Sequence, residues 1–172
     1  MIPLFLPGFI LNNVLEITPE FLKKHGVKAL ILDADNTLRL YRKPEPADGI
    51  AAWIGKLKDN GIALIILSNN YPSRVKPFAQ KLGLDFIAMG LKPSPIGILR
   101  AKRRLGITKK QVAIVGDQIF TDIIGGNLLG ITTILVKPLK LENGATYRFK
   151  RWLEQPIIKR HKNKSKPILN SK

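Results

Sequence analysis

Continuous apolar runs punctuate the chain: KALIL (28–32), IALIIL (62–67), DFIAM (85–89), VAIV (112–115) and TTILV (132–136). They do not alternate apolar with polar positions, so each reads as a strand buried on both faces, DFIAM most weakly. Helical spacing fills the intervals. Ile50, Ile54 and Leu57 repeat along 47–60, and Gly61 ends that run. SRVKPFAQKLG (73–83) reads as a short helix with Ser73 as its cap, and Ser94-Pro95 opens a helix reaching about Leu105. TDIIGGNLLG (121–130) completes the set. Apolar strands separated by helices predict a doubly wound, Rossmann-like α/β domain, a parallel sheet with helices on both faces. No internal repeat is visible.

In such sheets reactive groups collect beyond the carboxyl ends of the strands. KALIL runs into Asp33-Ala34-Asp35-Asn36-Thr37, IALIIL into Ser68-Asn69-Asn70, DFIAM toward Lys92-Pro93, and VAIV into Gly116-Asp117, with Asp122 five residues on. Residues two apart on an extended chain point to one side, so Asp33 and Asp35 can address one ligand. Adjacent carboxylates repel, and Asp117 adds a third; a hard divalent cation makes the cluster tolerable, and oxygen-only ligands favour Mg2+. A carboxylate can attack phosphorus to give an aspartyl-phosphate. The first aspartate is then the nucleophile, and the second handles the proton. Lys92 supplies positive charge to a phosphate, with Pro93 keeping it outside the following helix. The Ser68 hydroxyl and the N–H groups after it, from Asn69 on, can hold phosphate oxygens. Taken singly, each piece has an ordinary alternative as a turn or a helix cap.

Composition narrows the picture. The chain has 172 residues, enough for one domain with a real core, and no cysteine, which removes disulfides, zinc–thiolate sites and thiol nucleophiles. His25 and His161 sit in polar surroundings and read as surface residues. With 29 basic against 12 acidic residues the formal charge is +17, which implies an anionic partner, self-repulsion, or both. More than half of it, +9, falls in 137–172. No apolar segment approaches the roughly 20 residues that span a bilayer. The apolar start, MIPLFLPGFIL, has no basic residue ahead of it and contains two prolines, so no signal peptide is expected. The expected location is cytoplasmic, with peripheral attachment to the inner face of a membrane left open.

The order of these elements resembles the haloacid-dehalogenase-type phosphatases. DADNTL matches their Asp-x-Asp-x-Thr motif, LSNN the serine motif, LKPSP the lysine motif and VGDQIFTD the Gly-Asp-x-x-x-Thr-Asp motif. The resemblance implies Asp33 as nucleophile and Asp35 as general acid/base. It implies a Mg2+ site from Asp33, the backbone carbonyl of Asp35 and Asp117, supported by Asp122 through water or Lys92, with Ser68 and Lys92 on the phosphoryl group. ITPEFLKKHGVKALILDADNTL, GDQIFTDIIGGNLLGITTILVKPL and a late basic aromatic stretch further resemble the bacterial YqeG-type family, small phosphatases similar to the mitochondrial phosphatidylglycerophosphate phosphatase. Ala34 departs from the larger aliphatic residue expected there.

Spacing bears on the substrate independently. Asp35 and Ser68 are 33 residues apart, and Ser68 and Lys92 are 24 apart; helices and strands already fill both intervals, so no cap domain fits. An open rim admits a phosphate on something large. The expected organisation is an apolar, helical lead-in (1–27), a phosphatase core (28–145) and a basic amphipathic tail (146–172), disordered at its end. In the tail Phe149, Trp152 and Leu153 fall on one helical face among basic residues, which suits an anionic leaflet, with Phe5 and Phe9 as a second contact; packing of both segments on the sheet, with the basic residues solvated, is the equal alternative. The leading expectation is a Mg2+-dependent phosphatase of phosphatidylglycerophosphate at a membrane surface. A nucleotide, nucleic-acid end or sugar phosphate stays open as substrate, since Arg100, Lys102, Arg103 and Arg104 suit a polyanion. A non-enzymatic basic module is the third reading.

Overall fold

The computed structural model describes residues 4–41, 43–140, 152 and 154–158. Six parallel strands form one sheet: β1 (Phe9–Leu11), β2 (Ala29–Leu32), β3 (Ala63–Leu67), β4 (Asp85–Ile87), β5 (Val112–Gly116) and β6 (Thr132–Val136), in the spatial order β1-β6-β5-β2-β3-β4. From central β2 the chain winds outward through β3 and β4. It then returns to the other side of β2 as β5 and β6. The strand order therefore reverses between β2 and β5, and a cleft opens at their carboxyl ends.

The alternating inside of each strand explains the unbroken apolar runs. Leu30, Leu32, Leu64, Ile66, Ala113 and Val115 face one layer, and Ala29, Ile31, Ile65, Leu67, Val112 and Ile114 face the other. The first layer is covered by α1 (Pro19–Lys24), α2 (Ile50–Asp59) and α3 (Pro72–Lys81), through Leu22, Trp53, Leu57, Val75 and Phe78. The second is covered by α4 (Pro95–Arg104), through Ile98 and Ala101, and by α5 (Ile124–Leu129) with the turn that follows it, through Leu129 and Ile131. Trp53 is almost wholly buried, and its Nε1–H donates to Ile17 O at 2.9 Å, which ties α2 to the segment before α1.

Several expectations hold in detail. Ile50, Ile54 and Leu57 are buried along α2, and Gly61 follows with φ +74°, a conformation that suits glycine. Ser94 caps α4, its Oγ accepting from the Ile96 N–H, with Pro95 in the first turn. Others are corrected. α3 starts at Pro72 behind Tyr71, so Ser73 lies inside the helix and not at its cap. The stretch 121–130 is not one α-helix: a π-helical turn, Ile119–Ile123, precedes α5. The lead-in contributes β1, a half-buried edge strand paired with β6, where no strand was expected. Phe9 packs edge-on to Phe21, with ring centroids 5.2 Å apart, and Phe5 is exposed.

Of the basic tail, residues 154–158 are helical. Ile157 and Ile158 pack against the cluster of Ile119, Ile123 and Leu135, while Trp152 is exposed. Tyr147, Phe149, Leu153 and His161 lie outside the described residues.

Candidate active site at the carboxyl ends of the strands

Asp33 follows β2 directly, and its N–H still pairs with Val115 O of β5 at 2.9 Å, so the ladder itself fixes its place. The chain then turns. Asn36 takes φ +62°, and the N–H groups of Leu38 and Arg39 both return to Ala34 O. The Ala34 side chain is buried in the apolar layer with Leu38, away from the cleft, so its small size touches packing and not the cleft.

Lys92 sits at the centre. Its Nζ donates to Asp33 Oδ1 at 2.5 Å and to Asp122 Oδ1 at 2.6 Å, and its side chain is only 3% exposed. Burial alone would push this ammonium down, but Asp122 and Asp33 outweigh it and hold it above its ordinary value. Burial pushes the Asp33 carboxyl up to about 6; Lys92 opposes the rise, and the nearby charges of Asp122 and Asp35 add to it. The lysine loop is held from β3. Asn69 Nδ2 donates to Lys92 O at 3.0 Å, and Lys92 N–H donates to Asn69 Oδ1 at 2.8 Å. The Asn69 side chain is thus engaged with the Lys92 backbone and positions that loop. Ser68 is buried at the end of β3, and its Oγ accepts from the Asn70 N–H at 3.2 Å.

The Asp35 carboxylate is held on both oxygens. Oδ1 accepts from Arg39 Nε at 3.0 Å and lies 4.0 Å from Arg74 Nη2, and Oδ2 accepts from Asn70 Nδ2 at 2.5 Å. Arg39 is itself buried, with its guanidinium carbon 4.4 Å from the centroid of the Phe78 ring.

Asp117 is fully buried just after β5. Asp122 lies in the π-helical turn with both oxygens engaged: Oδ1 by Lys92, Oδ2 by the Gln118 N–H at 3.3 Å and the Thr121 hydroxyl at 3.2 Å. It therefore acts on the site through Lys92. Glu154 is buried, and its Oε1 accepts from the Ile119 N–H at 2.7 Å, tethering the start of the same turn. Gly116 is what lets Asp122 in. A Cβ built there would lie 2.2 Å from Asp122 Cγ. Gly116→Ala is expected to cost about 1–3 kcal/mol through overpacking and to lower phosphate release on the order of 10²-fold by displacing Asp122 from Lys92. Thermal unfolding and an activity assay check it; near-wild-type values in both would show that the carboxylate moves at no cost.

All seven residues expected from the sequence, Asp33, Asp35, Ser68, Asn69, Lys92, Asp117 and Asp122, lie at this one rim of the sheet. Sequence reasoning missed Arg39, Asn70, Arg74 and Glu154. Arg39 left a faint trace, four residues after Asp35; Asn70 stood in the quoted Ser68-Asn69-Asn70 without a role; Arg74 and Glu154 left none. The donors available to a metal are oxygen only. Two carboxylates share one ammonium, and Asp117 adds a third buried carboxylate nearby, a balance that suits a divalent cation. Among the described residues no three acidic or histidine side chains form a metal cage by themselves. A set of two carboxylates and a carbonyl fits Mg2+, which keeps several waters.

The family model of haloacid dehalogenase-like hydrolases matches residues 9–130. The chain is 39% identical over 160 residues to the probable phosphatase YqeG of Bacillus subtilis, covering 93% of each. It is 28% identical over 177 residues to phosphatidylglycerophosphate phosphatase 1, chloroplastic/mitochondrial, of Arabidopsis thaliana, covering 96% of this chain and 51% of that one. Among solved structures, an uncharacterized protein from Listeria monocytogenes serotype 4b superposes with a TM-score of 0.55 at 24% identity, over 69% of this chain and 85% of that one, a likeness of fold.

Proposed function

The chain belongs to the haloacid dehalogenase-like hydrolases and is a phosphatase acting on phosphate monoesters, and from that premise we propose a Mg2+-dependent attack by Asp33 on a phosphorylated lipid headgroup, with phosphatidylglycerophosphate the first candidate. The observation that carries the chemistry is the position of Asp33 at the switch point, against Lys92 and within reach of Asp35.

Asp33 Oδ attacks phosphorus and the bond to the leaving oxygen breaks, giving an aspartyl-phosphate. Asp35 gives that oxygen its proton and then takes one from the water that hydrolyses the acyl phosphate. Lys92 and the Ser68 hydroxyl hold the phosphoryl oxygens, and Asn69 and Asp122 hold Lys92. Asp33, Asp117 and the Asp35 carbonyl would hold Mg2+, which when bound neutralises phosphoryl charge and draws Asp33 to its ionised form.

The lipid reading has three supports. The Arabidopsis relative carries that activity in its name. The rim has no cap. Around the cleft mouth Leu40, Tyr41, Tyr71, Met89, Leu91 and Leu139 are exposed, on loops after four different strands. Met89 and Leu91 are turned outward at positive φ, 49° and 55°. Apolar side chains on the face that carries the site suit insertion at a headgroup boundary, with basic residues drawn to anionic lipid. No helix among the described residues is long and apolar enough to cross a membrane. The basic end of α4 weakens the polyanion alternative at this site: Arg104 pairs with Asp85 at the start of β4, on the opposite rim.

The test is phosphate release with Mg2+ from phosphatidylglycerophosphate in anionic vesicles, a nucleotide and a 3′-phosphorylated oligonucleotide. Faster release from either of the last two would overturn the lipid assignment. Met89→Asp and Tyr71→Asp probe the rim. Aspartate tolerates the left-handed backbone at position 89, so the fold is expected to hold. Release from vesicles is expected to fall about tenfold, the equivalent of one lost apolar anchor, with a soluble ester spared. Equal losses on both substrates would remove the rim from lipid contact.

A further inference from the structure

Charge is distributed unevenly across the site. On the attacking side one ammonium, Lys92, serves two carboxylates, Asp33 and Asp122. On the side of Asp35 two guanidinium groups, Arg39 and Arg74, approach one carboxylate, and no other acidic partner of either appears among the described residues. The surplus there is one positive charge, beside the group assigned to the leaving oxygen.

Arg39 is 4% exposed in its side chain. Its Nε is committed to Asp35, and Nη1 reaches only Arg74 O at 3.5 Å. Nη2 is buried with no hydrogen-bond partner among the described residues. The Phe78 ring beneath the guanidinium limits how far it can turn. A buried charged donor without an acceptor is costly, and native structures seldom leave one unless a water or ligand belongs there. Arg74 is 35% exposed in its side chain and oriented by Asn70 Oδ1 at 3.1 Å, but at 4.0 Å it makes no hydrogen bond to Asp35. It is held in place and open to an incoming group.

In-line displacement sends the leaving alcohol away from Asp33 toward Asp35. A second anionic group on that alcohol, one short spacer from the reacting phosphorus, then arrives at the two guanidinium groups. Their planar forks match a phosphate or phosphodiester better than an ammonium does. We propose that Arg39 and Arg74 form a second anion subsite, selecting phosphate monoesters whose alcohol carries another phosphate or phosphodiester group. The proposal rests on the assignment of Asp33 and Asp35 above. If the arginines served only to hold Asp35, every substrate would depend on them equally.

The experiment compares propane-1,3-diol bisphosphate with propane-1,3-diol monophosphate. Both are soluble, and they differ only in the second anion. Each is titrated calorimetrically into the full-length Asp33→Asn chain with Mg2+, where binding is read without turnover. The bisphosphate is expected to bind at least about tenfold more tightly, as one charge-assisted contact implies. Adding Arg74→Ala should bring the two affinities to within about twofold, and Arg74→Lys should restore part of the difference. Arg39→Gln should act likewise if it folds; Arg74→Ala decides the question either way, because that side chain is partly exposed. Equal affinities in the Asp33→Asn chain, no detectable binding of the bisphosphate at millimolar concentration, or an affinity ratio unchanged by Arg74→Ala would each overturn the subsite. Wild-type phosphate release from both compounds is measured separately. A preserved ratio without release would retain the subsite and overturn the proposed chemistry.

Discussion

Asp33→Asn is expected to leave a folded chain whose phosphate release falls on the order of 10³-fold or more, the scale seen when a nucleophile is removed. An amide cannot form the acyl phosphate, while Lys92 keeps its contact to Asp122. Stability carries a second signature. In the metal-free protein the folded-state value for Asp33, about 6, stands above the ordinary 3.8, so the native state holds that proton more tightly than the unfolded one. The associated stability is fully present below about pH 3.8 and is lost as pH rises through about 6. Asparagine has no such titration, so Asp33→Asn should flatten this part of the profile. Substantial release by a folded Asp33→Asn chain would sink the covalent mechanism, and matching pH profiles would sink the assignment of the titration.

Lys92→Met is expected to do the most damage to the fold. It removes the one ammonium shared by Asp33 and Asp122 and leaves a 1% exposed Asp122 facing a second carboxylate. Breaking a buried pair by deleting one partner costs about 3–5 kcal/mol, on the order of 10 °C in Tm for a chain of this size. Acid should narrow the gap, because protonating Asp33 relieves the repulsion. Mg2+ should narrow it too without restoring phosphate release. Thermal melts with and without Mg2+ check this. A metal-free Tm within about 2 °C of wild type at pH 8, less than 1 kcal/mol on that scale, would show that the carboxylates do not depend on Lys92.

What the sequence revealed and what it hid follow from where each signal is stored. β2, β3 and β5 were legible because both faces are buried, which forces four or five consecutive apolar residues. The end of each such run then marked Asp33, Ser68 and Asp117 without any knowledge of pairing. β1 was not legible: its three residues are all half-buried and pair on one side only, so they carry no pattern of their own. The π-helical turn reads as ordinary helix because its composition is helical; what widens it is the need to bring Asp122 over Gly116 to Lys92, a contact across 30 residues. Arg74 and Glu154 have long-range partners, and a lone arginine or glutamate in a polar stretch announces none. From its composition the tail reads equally as a membrane segment or as a layer on the sheet; Ile157 and Ile158 pack against the sheet domain, while Trp152 is exposed.

The hydrogen bond from Ile119 to Glu154 also bears on how the protein is made. Asp33, Ser68, Lys92 and Asp117 all precede residue 154 in the order of synthesis. The turn that carries Asp122 lacks its buried tether until the chain has grown 35 residues past Ile119. A chain clipped ahead of Glu154 keeps every strand of the sheet but lacks this tether of its catalytic loop. Shortening the basic tail from position 151 removes this tether along with the positive charge, so any loss of lipid hydrolysis in such a truncation mixes two causes. Glu154→Gln in the full-length chain separates them, because it keeps every basic residue and changes residue 154 alone.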